Sequence, residues 1–203
     1  MTDKRLHLFL IISITIILIY SGINPFNRFT WFLEVIPAII GGAVLIYIYP
    51  KFKFTNLVYI LIWVHAIILI VGGHYTYAEM PLFNWIRDTF NFSRNYYDRL
   101  GHFAQGFIPA MVAREILIKN SIVNKKKWLG FIVICICLAI SASYELIEFA
   151  VAKLTGTAAE AFLGTQGDVW DTQWDMFFAL IGSIVSIFTL SRYQDNQLDK
   201  NNI

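Results

Sequence analysis

The chain has 203 residues, of which 57% are hydrophobic and 15% are charged, and its mean hydropathy is +0.58. Such a composition excludes an intrinsically disordered chain and an ordinary water-soluble globular fold. The formal charge of +2 gives no indication of a nucleic-acid partner.

Six apolar segments dominate the sequence, and each approaches the roughly 20 residues that a helix needs to cross a bilayer. They lie at residues 6–23, 31–49, 57–72, 98–118, 128–151 and 172–190, and a polar, aromatic stretch follows the third. The first segment follows Lys4 and Arg5, as in a signal peptide, but lacks an A-x-A-like cleavage site, so we predict an uncleaved span. The sequence therefore predicts an all-α polytopic membrane bundle of about six transmembrane helices, with residues 1–203 forming a single integral membrane domain.

The distribution of lysine and arginine over the short loops predicts the orientation of the chain. If the N-terminus is cytoplasmic, eleven of these residues fall on the cytoplasmic side and five on the opposite side. We therefore predict a multi-pass protein of the bacterial plasma membrane with both termini in the cytoplasm. The tract Asn124-Lys125-Lys126-Lys127 is interpreted as a topology signal.

Titratable residues gather at the predicted extracytoplasmic ends of the spans. The candidates for a shared polar site are Asp98, His102, Glu145, Glu148, Asp171 and Asp175. They form three pairs with i,i+3 or i,i+4 spacing, so both members of each pair lie on one helical face. Further candidates on the same side are His74, Glu79, Gln166 and Asp168. Because a charge near mid-bilayer costs about 2.5–3.5 kcal/mol, this collection predicts a water-filled or protein-lined cavity.

Several of these residues also have a structural interpretation. Asp98 is a candidate N-cap of the fourth span. Glu145 and Glu148 could form ion pairs that fix helix packing, and Glu34 could lie at the membrane interface. The aromatic residues expected in an interfacial belt are Trp85, Tyr96, Tyr97, Trp170 and Trp174.

Three classes of function remain open at this point. An enzyme would use His102, Glu145 and Asp175 as ligands of a divalent metal such as Zn, Mn or Mg, which would activate water toward a lipid-linked or envelope substrate. A proton- or cation-coupled transporter would use the same carboxylates as a relay. Its path is expected to be poor, because the inner halves of the spans offer little beyond His65, Ser141 and Ser143. A partner or assembly protein would use these polar groups to bind an exposed loop of another protein. The sequence leaves the substrate, the metal and the oligomeric state open.

Long motifs in the chain resemble the YjdF family of bacterial inner-membrane proteins. They are GINP at 22–25, RFTWFLE at 28–34, VGGHYTY at 71–77, YDRLGHFAQGF at 97–107 and LGTQGDVWDTQWDM at 163–176. This resemblance implies a multi-span inner-membrane protein without an established function. Three short motifs are also similar to those of VanZ-like proteins, which are linked to glycopeptide resistance: Asp98-Arg99-Leu100-Gly101-His102-Phe103, Glu145-Leu146-Ile147-Glu148, and Asp175 followed by Gly182. Glu148 stands where those proteins have Gln, and Ala179 stands where they have Asn.

Overall fold

A computed structural model describes residues 3–123, 126–156 and 160–200, and the regular elements in these ranges are helical. The helices are α1 (Asp3–Ser21), α2 (Arg28–Ile48), α3 (Asn56–Tyr75), α4 (Pro81–Phe90), α5 (Tyr97–Lys119), α6 (Lys126–Thr155), α7 (Glu160–Leu163) and α8 (Asp171–Lys200), with a 3-10 turn at Tyr77–Glu79. The predicted all-α polytopic bundle is confirmed. Asn124 and Lys125, which belong to the predicted topology signal, lie outside the described residues.

Five of the described helices, α1, α2, α3, α6 and α8, are long and apolar enough to cross a membrane. The predicted fourth span, α5, has 23 residues and a length of about 35 Å, which is also sufficient. It is less apolar because it carries Asp98, Arg99, Arg114 and Glu115, all of which are buried. Most of the helix is therefore covered by protein, so only a small part of it needs a hydrophobic surface toward lipid.

Two parts of the chain differ from the prediction. The stretch after the third span contains α4, which begins at Pro81 and ends before Asn91 in a left-handed conformation with φ 56°. Proline at the first helical position and asparagine after the last are common helix boundaries. The last helix, α8, continues past residue 190 to Lys200 because its polar end also packs on the bundle, where Gln194 and Leu198 are buried.

The most extensive helix contact joins α5 to α8, and small residues make it possible. A Cβ atom on Gly106 would overlap the carbonyl oxygen of Ala179, and one on Gly182 would overlap that of Phe103. The backbones of the two helices therefore touch. This close approach fixes the side chains at the start of α5 against those at the start of α8.

The bundle has an apolar middle and a polar layer at each end. The core is formed around residues such as Phe54, Val58, Met111 and Val133. We call the layer around Asp98, His102 and Asp175 the Asp98 end, and the layer around Thr55, Glu115 and Gln194 the Glu115 end. In the orientation predicted from lysine and arginine, the Asp98 end faces away from the cytoplasm.

Candidate functional site

Three helices bring the predicted polar residues together at the Asp98 end. Helix α5 contributes its first turns, α6 contributes a segment two to three turns before its end, and α8 contributes its first turns. The side chains concerned are all buried, with exposures between 2% and 8%: Asp98, His102, Glu145, Glu148, Asp171 and Asp175. Residues that are far apart in the sequence therefore form one buried cluster.

Two arginines that are not among the predicted site residues lie inside this cluster. Arg94 donates to Asp171 Oδ1 at 2.6 Å and to the carbonyl oxygen of Gly164 at 3.0 Å. Arg99 donates to the same Asp171 oxygen at 2.5 Å and to Asp175. The sequence does hold a signal for this, because Arg94 precedes Asp98 by four residues and buried acids need a basic partner.

The His102 imidazole lies at the centre of the cluster, with different partners at its two nitrogens. Nε2 is 3.5 Å from Asp98 Oδ1 and 3.6 Å from Asp175 Oδ1. Nδ1 is 3.1 Å from Gln105 Oε1 and 3.8 Å from Glu145 Oε1. Asp175 and Glu145 therefore approach opposite sides of the ring, and a histidine that binds a metal through one nitrogen would not share that ion with both.

Two sets of possible metal ligands follow from this geometry. In each set one ligand atom per residue lies within 4.8 Å of the others: Asp98, His102 and Asp175, and His102, Glu145 and Glu148. The structure thus divides the predicted ligands His102, Glu145 and Asp175 between two overlapping sets.

Further buried groups from α2 and the 3-10 turn lie next to the cluster. Glu34 is 3% exposed, so it is inside the bundle and not at the membrane interface as one interpretation suggested. The Tyr77 ring occupies space left by Gly72 and Gly101. Burial, reinforced by the nearby Glu34 carboxyl, raises the pKa of Tyr77 well above its ordinary value, so its hydroxyl remains a proton donor. The buried Glu145 Oε1 has no hydrogen-bond partner among the described residues.

Two structural interpretations of residues near the start of α5 are wrong. The N-cap of α5 is Tyr96, and Asp98 lies in the first turn, where it is buried against basic groups. Tyr97, which was expected in an interfacial belt, is 4% exposed and donates to the Ile68 carbonyl oxygen at 2.8 Å.

The four further candidates are distributed around this centre. His74 Nδ1 contacts the Ser21 carbonyl oxygen at 2.8 Å and so ties α3 to the end of α1. Glu79 is exposed and accepts from Asn84 at 3.2 Å. The Gln166 amide forms two hydrogen bonds of 2.9 Å with the backbone of residue 95. Asp168 lies 3.5 Å from both Arg94 and Arg99, so of these four it alone contacts the buried cluster.

A cavity of about 480 Å³ opens beside the cluster, between the start of α5 and the start of α8. Its lining combines basic, polar and aromatic side chains: Arg94, Arg99, Gln166, Asp168, Trp174 and Phe178, with Ser93, Tyr96 and Gly167. Arg99 bridges the cavity to the interior, because the same guanidinium bonds Asp175 beside His102.

The Glu115 end contradicts the expectation that the inner halves of the spans hold little of note. Glu115 is fully buried and accepts from the Thr55 backbone and hydroxyl, both at 2.7 Å. It also accepts from Gln194 at 3.2 Å and pairs with Lys119 at 2.9 Å. Arg114, Glu115 and Lys119 are close in sequence near a span end, where basic residues are also typical topology signals, so the sequence alone does not distinguish the two roles.

Comparison with known proteins supports the motif-based resemblance. Residues 6–196 match the family described as "Predicted membrane protein (DUF2238)". The chain is 49% identical over 187 residues to "Inner membrane protein YjdF" of Escherichia coli (strain K12), an alignment that covers 92% of this chain and 90% of that protein. No solved structure matches the chain.

Proposed function

Since the chain belongs to the DUF2238 family of predicted membrane proteins and is a multi-pass protein of the inner membrane, we propose that its Asp98 end is a metal-dependent centre for hydrolysis or group transfer on a lipid or envelope substrate. The observation that carries this proposal is the arrangement of Asp98, His102 and Asp175. Two ligands of a tetrahedral ion at roughly 2.1 Å lie about 3.4 Å apart. The separations of 3.5 and 3.6 Å around His102 Nε2 agree with that spacing and are too long for strong hydrogen bonds.

The second ring nitrogen supports the same assignment. Because an amide oxygen only accepts, the contact with Gln105 Oε1 requires a proton on His102 Nδ1, so Nε2 would be the nitrogen available to a metal ion. Histidine ligands of metals are commonly held in this way by an acceptor on their other nitrogen. Gln105 is thus proposed as the residue that orients His102.

The charge of the cluster also favours a cation. Asp98, Asp168, Asp171 and Asp175 (−4) face Arg94 and Arg99 (+2), which leaves a formal charge of −2 before Glu145 and Glu148 are counted. A buried excess of acid is stable only when it binds protons or a cation. One divalent ion would balance the aspartate and arginine layer, and Glu145 beyond the ring would be available as a general acid or base.

Metal content tests this proposal directly. We expect protein purified in mild detergent to retain about one equivalent of a divalent metal, measured by elemental mass spectrometry, because the ligand atoms lie at metal-site spacing. Asp98→Asn combined with Asp175→Asn should lose the metal. Glu79→Gln, an acid-to-amide change on an exposed residue, is the matched control and should retain it.

The proposal fails if the parent protein holds no more metal than the double variant, and if Zn²⁺, Mn²⁺ and Mg²⁺ all leave its melting temperature unchanged. In that case the cluster carries protons. The transporter would then gain support, although Glu115 offers it little as a relay group because four donors already occupy its carboxylate.

A further inference from the structure

We propose that the cavity between the start of α5 and the start of α8 binds the phosphate group of an anionic membrane lipid. The inference deepens the proposed function, on which it rests for the role of the cavity as the substrate entrance. It assigns a chemical class to the substrate and a position to its head group.

Two arginines supply positive charge to the cavity wall, whereas the aspartates that pair most closely with them, Asp171 and Asp175, do not line the cavity. Arg94 is 6% exposed and Arg99 is 4% exposed, yet both line the cavity. A guanidinium matches the oxygens of phosphate in geometry and charge, so a phosphate oxygen is a suitable partner for this group.

The N-termini of α5 and α8 also favour an anion in the cavity. Residues 93, 94 and 96 of the lining immediately precede α5, and residues 166–168 shortly precede α8. The N-terminus of a helix carries a partial positive charge, which favours an anion. Two such termini and two arginines therefore point toward one cavity.

Asp168 marks the place that the phosphate would take. Its Oδ2 atom lies 3.5 Å from both Arg94 and Arg99, which is longer than a charge-assisted hydrogen bond. Its other oxygen accepts from the Trp170 backbone at 2.9 Å, so the side chain is held by the loop and not by the arginines. A phosphate that enters the cavity would compete with the 3.5 Å contact between Asp168 Oδ2 and the two arginines.

The outer rim of the cavity indicates a lipid as the source of the phosphate. Trp174 is 46% exposed and lines the cavity together with Tyr96 and Phe178. Tryptophan and tyrosine side chains concentrate at the head-group level of membranes. The exposed Phe177 ring packs next to Trp174 and Phe178 of this rim, where an acyl chain would lie.

Opposite charge changes in the cavity test the proposal. Asp168→Asn removes the competing negative charge and keeps an oxygen for the Trp170 bond, so we expect dioleoyl phosphatidic acid to bind about fivefold more tightly. Ser93→Asp places a carboxylate on the exposed cavity wall and should weaken binding about tenfold. Thr89→Asp, on the exposed surface of α4, is the matched control and should change little.

The binding measurement uses protein in detergent and titrates dioleoyl phosphatidic acid, dioleoyl phosphatidylcholine or inorganic phosphate, with the melting temperature recorded for each variant. The proposal is overturned if phosphatidic acid binds no more tightly than phosphatidylcholine, or if folded Asp168→Asn binds less tightly than the parent. Equal affinity for inorganic phosphate would overturn the lipid assignment. If Asp168→Asn does not fold, the test uses the other two variants: equal affinities of Ser93→Asp and Thr89→Asp for phosphatidic acid would overturn the proposal.

The readout is lipid affinity without any turnover or metal analysis. A protein that binds metal but not phosphatidic acid would retain the proposed function and lose this inference. A protein that binds phosphatidic acid but no metal would lose the proposed function and retain the lipid site.

Discussion

At the scale of single residues, the bundle contains buried carboxylates of two kinds. Glu115 accepts from Thr55 and Gln194 on neighbouring elements and pairs with Lys119 on its own helix. Glu145 Oε1 is equally hidden but has no donor among the described residues. A satisfied buried acid stabilises packing, whereas an unsatisfied one costs free energy that a structural role would not require. This contrast separates the Glu115 end, whose carboxylate holds helices together, from the Asp98 end, for which we propose a ligand.

Glu115→Gln should therefore lower stability. One end of the amide would carry N–H groups directed at existing donors, and the Lys119 pair would lose its negative partner. We expect a loss of about 3 kcal/mol in the free energy of unfolding, equivalent to a fall of about 6–12 °C in melting temperature in detergent.

Asp195→Asn is the control at the same end. Asp195 accepts from Arg114 at 2.7 Å, but its side chain is 50% exposed, so the substitution should cost less than about 1 kcal/mol. Equal losses for the two variants would contradict the structural role given to Glu115.

At the scale of elements, α5 determines the architecture. The sequence predicts where the helix begins and ends to within about a residue, because its boundaries follow polar and loop segments. It does not predict that α5 is the central helix, since hydropathy alone makes it the poorest span. The glycines at 106 and 182 are visible in the sequence, but the atoms against which they pack depend on the register of α5 against α8.

The α5–α8 contact gives a prediction at this scale. Gly106→Ala should push the two helices apart, because the new methyl group would overlap the Ala179 backbone and no side-chain rotation can relieve that overlap. We expect a loss of about 2 kcal/mol and a fall of about 4–8 °C in melting temperature.

Gly41→Ala is the matched substitution in α2, where a Cβ atom would meet nothing within 4 Å. Alanine is the better helix former, so the melting temperature should stay the same or rise. A destabilisation as large as that of Gly106→Ala would show that loss of glycine, and not helix contact, is responsible.

At the scale of the whole molecule, the fold was more predictable than the site. Membrane spans can be predicted from length and apolar composition, because both are properties of one continuous segment of the sequence. The convergence of His102 with Asp175 could be anticipated because both lie near helix ends on the same side. The burial of Arg94 has only its spacing from Asp98 as a signal, because Arg94 lies in the loop before α5 and loop paths leave no periodic pattern. The burial of Arg99 depends on the register of α5 against α8, which the sequence does not give.

The predicted orientation can be tested by cysteine labelling after Cys135 and Cys137 are replaced by serine. Val169→Cys lies in the loop before α8 and is at an 85% exposed position, and Ile122→Cys follows α5 at a 60% exposed position. A membrane-impermeant maleimide should label residue 169 in intact cells and residue 122 only after the membrane is opened, because the lysine and arginine excess places the second loop in the cytoplasm.

The reverse labelling pattern would place the Asp98 end in the cytoplasm. The metal and phosphate proposals would then refer to cytoplasmic substrates, while the helix bundle itself would be unaffected.

The charged central helix also has a consequence for biosynthesis. Helix α5 leaves the ribosome before α8, yet the acids that pair with Arg99 at Asp171 and Asp175 belong to α8. Until α8 is made, α5 would carry charges that cost up to about 3 kcal/mol each in the lipid interior. The nascent helix must therefore be sheltered by the insertion machinery or by earlier spans. The bundle can therefore be completed only late in translation, when α8 packs on α5. A chain that stops before α8 would leave a charged helix exposed to membrane quality control.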